Sequence, residues 1–160
     1  GSKVINDTAR KLLPKLLPDY QIIHLCGKGN LDTSLNGTKG YVQYEYANEE
    51  LADMFALADL VISRAGANSI CELLALHKPN ILIPLSRSAS RGDQILNANS
   101  FKNQGFSYVI EEEELSEKTL LNAVKEVWEK KDTYISAMKS SQQMDAVTTI
   151  TNLIEELRKQ

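Results

Sequence analysis

The 160-residue chain is 42% hydrophobic and 24% charged, the balance of one soluble domain with a proper core. Its 18 basic and 21 acidic side chains give a net charge of −3, which offers no basic surplus to a phosphate backbone and argues against nucleic acid as a partner. The longest apolar runs fall far short of the roughly 20 residues that cross a bilayer, and no signal peptide follows Gly1-Ser2, so a cytosolic chain without a transmembrane segment is expected.

In chain order, Ile5 to Leu17 has helical periodicity, interrupted by Pro14 and ended near Pro18. Tyr20 to Gly27 reads as a strand, and a polar loop follows. Gly40 to Tyr46 alternates like a second strand, and Glu49 to Leu57 like a short helix. Leu60-Val61-Ile62 is an unbroken apolar run, suited to a parallel strand buried on both faces. Asn80 to Pro84 supplies another after Pro79. Asp93 to Gln104 predicts a helix stopped by Gly105, and Phe106 to Ile110 a further strand. The acidic run Glu111–Glu114 reads as a solvated loop at that strand's end. Ser116-Glu117-Lys118 opens a helix to about Lys131, and Thr133 to Arg158 is a second long helical segment. The alternation implies an α/β fold with a parallel sheet covered on both faces.

The segment between Leu60 and Gln94 carries the chemistry. After the strand, Arg64-Ala65-Gly66-Ala67 has one bulky side chain only, so backbone amides there can approach a ligand, with Gly66 free to adopt positive φ. Asn68 and Ser69 are both good N-caps, and Ser69 to Glu72 has the Ser-x-x-Glu spacing of a capping box ahead of Leu73-Leu74-Ala75-Leu76. A helix beginning here directs its unsatisfied N–H groups, and about half a positive charge, at whatever occupies the strand end, for which a diphosphate is the natural choice. Glu72 has two readings. It closes the capping box on Ser69, or it accepts the hydroxyl hydrogens of a ribose 2′,3′-diol one turn below the diphosphate. Gln94, after the polar loop Ser86 to Asp93, carries an amide that both donates and accepts, as sugar hydroxyls require, although a glutamine at a helix start needs no such role.

Cys26 and Cys71 lack any CxxC or histidine spacing and read as reduced, small apolar fillers. His24 falls within an apolar strand and reads as core. His77, at a helix end before Lys78-Pro79, reads as a partner of the C-terminal dipole. No Asp-x-Asp pair exists to ligate a divalent metal.

Ala58 to Ala67, then Glu72, Lys78-Pro79, Ile83-Pro84 and Gly92 to Ala98, resemble the C-terminal half of glycosyltransferase family 28, in particular the N-acetylglucosaminyltransferases that complete the lipid-linked peptidoglycan precursor. The resemblance implies a Rossmann-like doubly wound parallel sheet, one half of a GT-B glycosyltransferase, with residues 1–160 as the donor-binding domain and the N-terminal acceptor domain outside this chain. It implies UDP-N-acetylglucosamine as donor and, through the other half, undecaprenyl-pyrophosphoryl-MurNAc-pentapeptide as acceptor. It also implies peripheral attachment of the full enzyme to the cytoplasmic face of the bacterial membrane. Carried over by position, the donor loop falls on Ala67, Asn68, Ser69, Ile70, Cys71 and Glu72, with Glu72 on the ribose and the helix start on the diphosphate. Gln94 falls on the sugar, Arg64 beside the phosphates or in a salt bridge under the loop, and Ala47 or Tyr46 near the uracil edge. Neither a catalytic residue nor a cofactor is expected in this half, and no metal site. The donor half of another family-28-like UDP-sugar transferase, or a non-catalytic nucleotide-binding module, would read similarly.

Two departures from the family pattern carry expectations. Its C-terminal half opens with a strand and glycine-rich loop ahead of the first helix, whereas this chain begins at the end of that loop, which predicts an empty sheet position and an exposed edge. The loop Ser86 to Arg91 is about two residues longer than in some members, which bears on sugar discrimination.

Overall fold

A computed structural model describes residues 2–89 and 91–141. Helices α1 (Lys3–Leu16), α2 (Glu50–Leu57), α3 (Ala67–Ala75), α4 (Asp93–Asn103) and α5 (Glu117–Glu129) alternate with strands β1 (Ile22–Leu25), β2 (Tyr41–Tyr44), β3 (Val61–Ser63), β4 (Asn80–Leu82) and β5 (Tyr108–Val109). Residues 131–141 are again helical, in keeping with the second long segment expected from Thr133; its continuation over 142–160 lies outside the described residues.

All strand pairings are parallel, as the alternation predicts. They form two sheets, β1-β2 and β3-β4-β5, rather than one. Among the described residues β1 and β3 are each paired on one side only. Both sheets share a core. Leu12 and Leu16 of α1, with Leu120, Ala123, Val124 and Val127 of α5, bury against Ile81, Ile83 and Ile110, and Ile22 of β1 and Ile62 of β3 pack on the same cluster. On the opposite face of β3-β4-β5, Leu82 meets Ile70 and Leu73 of α3 and Ala98 of α4. Ile81, Leu82 and Ile83 are all fully buried, the outcome for an apolar run covered on both faces.

The β1-β2 sheet departs from that expectation. Its inner residues Ile22, His24, Tyr41 and Gln43 face α1, whereas the cross-strand neighbours Ile23 and Val42, and Leu25 and Tyr44, are 37–47% exposed. Among the described residues nothing covers this outer face, because the polar connection between β1 and β2 forms only the short 3₁₀ turn Thr33–Leu35 instead of a covering helix.

Local signals acted at most ends. Ser2 caps α1 through the Ile5 amide, and Pro14 sits inside that helix, where the N–H it lacks is needed only by Arg10 near the end. Ser116 opens α5 with a capping box to Thr119. At the end of α3, the Lys78 N–H donates to Leu73 O (3.0 Å) and the His77 N–H to Leu74 O (3.1 Å), a Schellman closure. His77 adopts φ 54° there, a conformation usually given to glycine.

Candidate functional site

Parallel sheets present their ligand sites at the C-terminal strand ends, and the predicted residues other than Ala47 follow β3 and β4 there. β3 delivers the chain through Arg64 and the fully buried Ala65 to Gly66, the N-cap of α3. The helix starts at Ala67, so Asn68 and Ser69 are its second and third residues instead of caps, and the Ser69–Glu72 capping box does not form. The physical reason is that Gly66 is the last extended residue after β3, so helical geometry begins before either candidate cap. Gly66 has φ −66°, within reach of any residue, and not the positive φ expected of it. A Cβ at Gly66 would lie 3.9 Å from Gln94 Nε2, an ordinary contact.

This start supplies what an anion needs. No side chain caps it, and the N–H groups of Ala67, Asn68 and Ser69 have no protein partner among the described residues. Ala67 and Asn68 are exposed. Ile70 contributes differently, since its side chain is buried in the core and its N–H donates to Gly66 O. Cys71 is exposed, so the filler reading fails for it. Glu72 is half-buried, one turn from Asn68, and its carboxylate has no partner among the described residues.

Gln94, in the first turn of α4, does more than wait for a sugar. Its Oε1 accepts from the Ala65 N–H (3.3 Å) and the Leu85 N–H (3.0 Å), while Asn97 Nδ2 donates to Ala65 O (3.1 Å). The amide thereby ties α4 to the ends of β3 and β4, and its Nε2 turns toward Gly66.

Arg64 forms the salt bridge under the loop. Its guanidinium donates to Ile83 O (3.2 Å), Pro84 O (3.3 Å), Ser2 Oγ (2.7 Å) and Glu112 Oε1 (2.9 Å). Glu112 Oε2 also accepts from the Ser86 N–H at 3.3 Å. The acidic run is thus not simply solvated. Glu112–Glu114 forms a 3₁₀ turn that directs Glu112 back to the strand ends, and the hydrogen bond from Arg64 holds its carboxyl below the usual range. No sequence signal separated Glu112 from its three neighbours, because only the turn decides which glutamate faces inward.

Ala47 lies on the other sheet, in the loop after β2, and among the described residues no hydrogen bond joins that loop to α3 or α4. A separate cleft of about 170 Å³, lined by residues including Asp59, His77, Lys78 and Asp132, lies at the opposite ends of β3 and β4 and shares no residue with the predicted site. Among the described residues no helix is long and apolar enough to cross a membrane.

Cys26, read as a filler, is fully buried but sits in a polar cluster, where Arg10 Nη2 donates to its sulfur (3.2 Å), to Asn30 O (2.6 Å) and to Gln43 Oε1 (2.9 Å). His24 joins the same cluster and is not an apolar core residue.

The chain is 64% identical over 158 residues to the UDP-N-acetylglucosamine--N-acetylmuramyl-(pentapeptide) pyrophosphoryl-undecaprenol N-acetylglucosamine transferase of Lachnoclostridium phytofermentans, covering 99% of this chain and 44% of the relative. The protein of the same name from Geobacillus thermodenitrificans is 56% identical over 155 residues, covering 97% and 44%. The chain therefore spans less than half the length of these relatives. Among solved structures, MurG of Acinetobacter baumannii superposes with a TM-score of 0.71 over 98% of this chain and 46% of its own, at 19% identity. A glycosyltransferase of kitacinnamycin gives 0.67 over 95% and 40%, also at 19% identity. At that identity the likeness speaks for the fold, a GT-B half. Residues 1–156 match the glycosyltransferase family 28 C-terminal domain, and with a sheet whose strand ends carry an uncapped helix start, the chain belongs to that family.

Proposed function

We propose that this chain is the donor half of an inverting N-acetylglucosaminyltransferase that uses UDP-N-acetylglucosamine to glycosylate a lipid-linked pyrophosphoryl-MurNAc-pentapeptide. The observation that carries the reading is the start of α3, where three amides stand one turn above a carboxylate, none of them with a partner among the described residues. The diphosphate occupies the amides of Ala67, Asn68 and Ser69, and Glu72 accepts from the ribose diol. Gln94 Nε2 donates to a sugar hydroxyl, while Ala47 or Tyr46 lies at the uracil edge. The acceptor hydroxyl attacks the anomeric carbon as its bond to the diphosphate breaks, and the configuration inverts. Charge developing on the departing UDP is stabilised by the helix amides and dipole, with no metal in the scheme. The general base and the acceptor and membrane surfaces belong to the other half.

Titration of the 160-residue chain with UDP, UDP-N-acetylglucosamine, UDP-N-acetylgalactosamine and an ADP-sugar tests the reading. At about 100 times its dissociation constant a ligand of the folded state adds roughly 2.7 kcal/mol of stability. Stabilisation by uridine ligands that is lost in Glu72→Ala supports the proposal. An equal response to the ADP-sugar, or none to any nucleotide, overturns it.

A further inference from the structure

Two hydrogen-bonded ties hold the wall of the candidate pocket that follows β4. Gln94 Oε1 grips the Leu85 N–H at 3.0 Å, and Glu112 Oε2 grips the next amide, Ser86, at 3.3 Å. Consecutive amides are thus held from α4 on one side and from the turn after β5 on the other. Glu112 is itself anchored by Arg64 at 2.9 Å. Arg64 keeps three further oxygen partners, Ile83 O, Pro84 O and Ser2 Oγ, so its position does not depend on Glu112. Loss of the Glu112 carboxylate therefore falls on Ser86 and, through the peptide to Leu85, on the amide of Gln94.

We propose that Glu112 is a positioning residue for donor-sugar recognition, fixing the Leu85–Ser86 segment and with it the orientation of the Gln94 amide. The inference rests on the donor-binding reading above. It makes a specific demand: Glu112 governs the sugar and leaves the diphosphate-binding start of α3 alone, since the amides of Ala67, Asn68 and Ser69 are held by β3 and by the helix itself.

Calorimetric titration of the 160-residue chain with UDP and with UDP-N-acetylglucosamine, for wild type, Glu112→Ala, Glu112→Gln and Glu113→Ala, tests it. Glu112→Ala is expected to weaken UDP-N-acetylglucosamine at least fivefold and UDP less than twofold. Glu112→Gln, which retains an oxygen for Arg64 and loses the second acceptor for Ser86, is expected to fall between. Glu113→Ala removes the same charge from the same exposed run and is expected to match wild type. An unchanged ratio of the two affinities in Glu112→Gln, or an equal loss of both ligands, overturns the proposal, and Glu112→Gln decides the matter alone should Glu112→Ala fail to fold. Wild type binding neither ligand overturns the donor reading and this inference together. Wild type binding both, with an invariant ratio across the variants, overturns this inference alone.

Discussion

The Tyr41 hydroxyl donates to Nδ1 of His24 across 2.8 Å, and this bond determines the protonation of a half-buried histidine. Asn6 Nδ2 donates to Cys26 O, so Asn6 Oδ1 must be the acceptor facing His24 Nε2 at 2.8 Å, which places the ring proton on Nε2. The neutral ring is fully satisfied. A second proton would force the Tyr41 hydroxyl from donor to acceptor, and burial followed by the nearby Arg10 charge lowers the His24 pKa from 6.5 to about 4.

Stability should therefore fall with acidification before the carboxylates titrate. Above pH 6.5 both states hold a neutral ring; between 6.5 and about 4 the unfolded chain binds a proton that the folded one refuses. We expect a loss of about 1 kcal/mol between pH 6.5 and 5, after allowance for partial exposure. Urea unfolding across that range is the measurement, and His24→Gln should flatten the slope.

Glu72→Ala separates the two readings of that carboxylate without any ligand. A capping box would cost about 1 kcal/mol on its removal. Because Glu72 has no partner among the described residues, the expected change in unfolding free energy is within about 0.5 kcal/mol, while UDP binding is lost. A larger destabilisation in denaturant would restore the structural role.

Gln94→Leu should behave in the opposite way. The Ala65 and Leu85 N–H groups would both lose their acceptor, and an unsatisfied amide in a partly buried position costs about 1–3 kcal/mol. Gln94→Glu retains the oxygen and should recover most of that stability in the same thermal melts, while presenting no donor to a sugar.

Lys78 Nζ closes the C-terminal end of α2 by donating to Ala56 O (3.1 Å) and Ala58 O (2.9 Å). Lys78→Met should cost about 0.5–1 kcal/mol through the freed carbonyls and the lost charge. Faster hydrogen exchange confined to α2 is the local signature to look for.

The outer face of β1-β2, uncovered among the described residues, makes a prediction about association. Ile23→Thr with Val42→Thr keeps β-branched side chains on the strands and removes apolar surface. Self-association measured by sedimentation should decrease with the melting temperature nearly unchanged. A marked fall in that temperature would mean that the face is covered.

Periodicity and end signals written into the chain determined the element order, because each depends on neighbours within a few positions, and the β/α alternation with the apolar run Ile81-Leu82-Ile83 then required parallel pairing and cover on both faces. The small-residue turn Arg64 to Ala67 likewise located the uncapped start of α3. Tertiary structure decided the rest. Whether Ser69 or Gly66 caps α3 depended on where β3 ends, and that is set by pairing with β4. Glu112 could be told from Glu111, Glu113 and Glu114 only once the turn after β5 lay against Arg64, 48 positions away along the chain. Gln94 and Ala65, 29 positions apart, became partners only when α4 packed across the strand ends. Side-chain hydrogen bonds between such distant segments have no periodicity for a sequence to display; they exist only after the sheet has brought its strand ends to one edge.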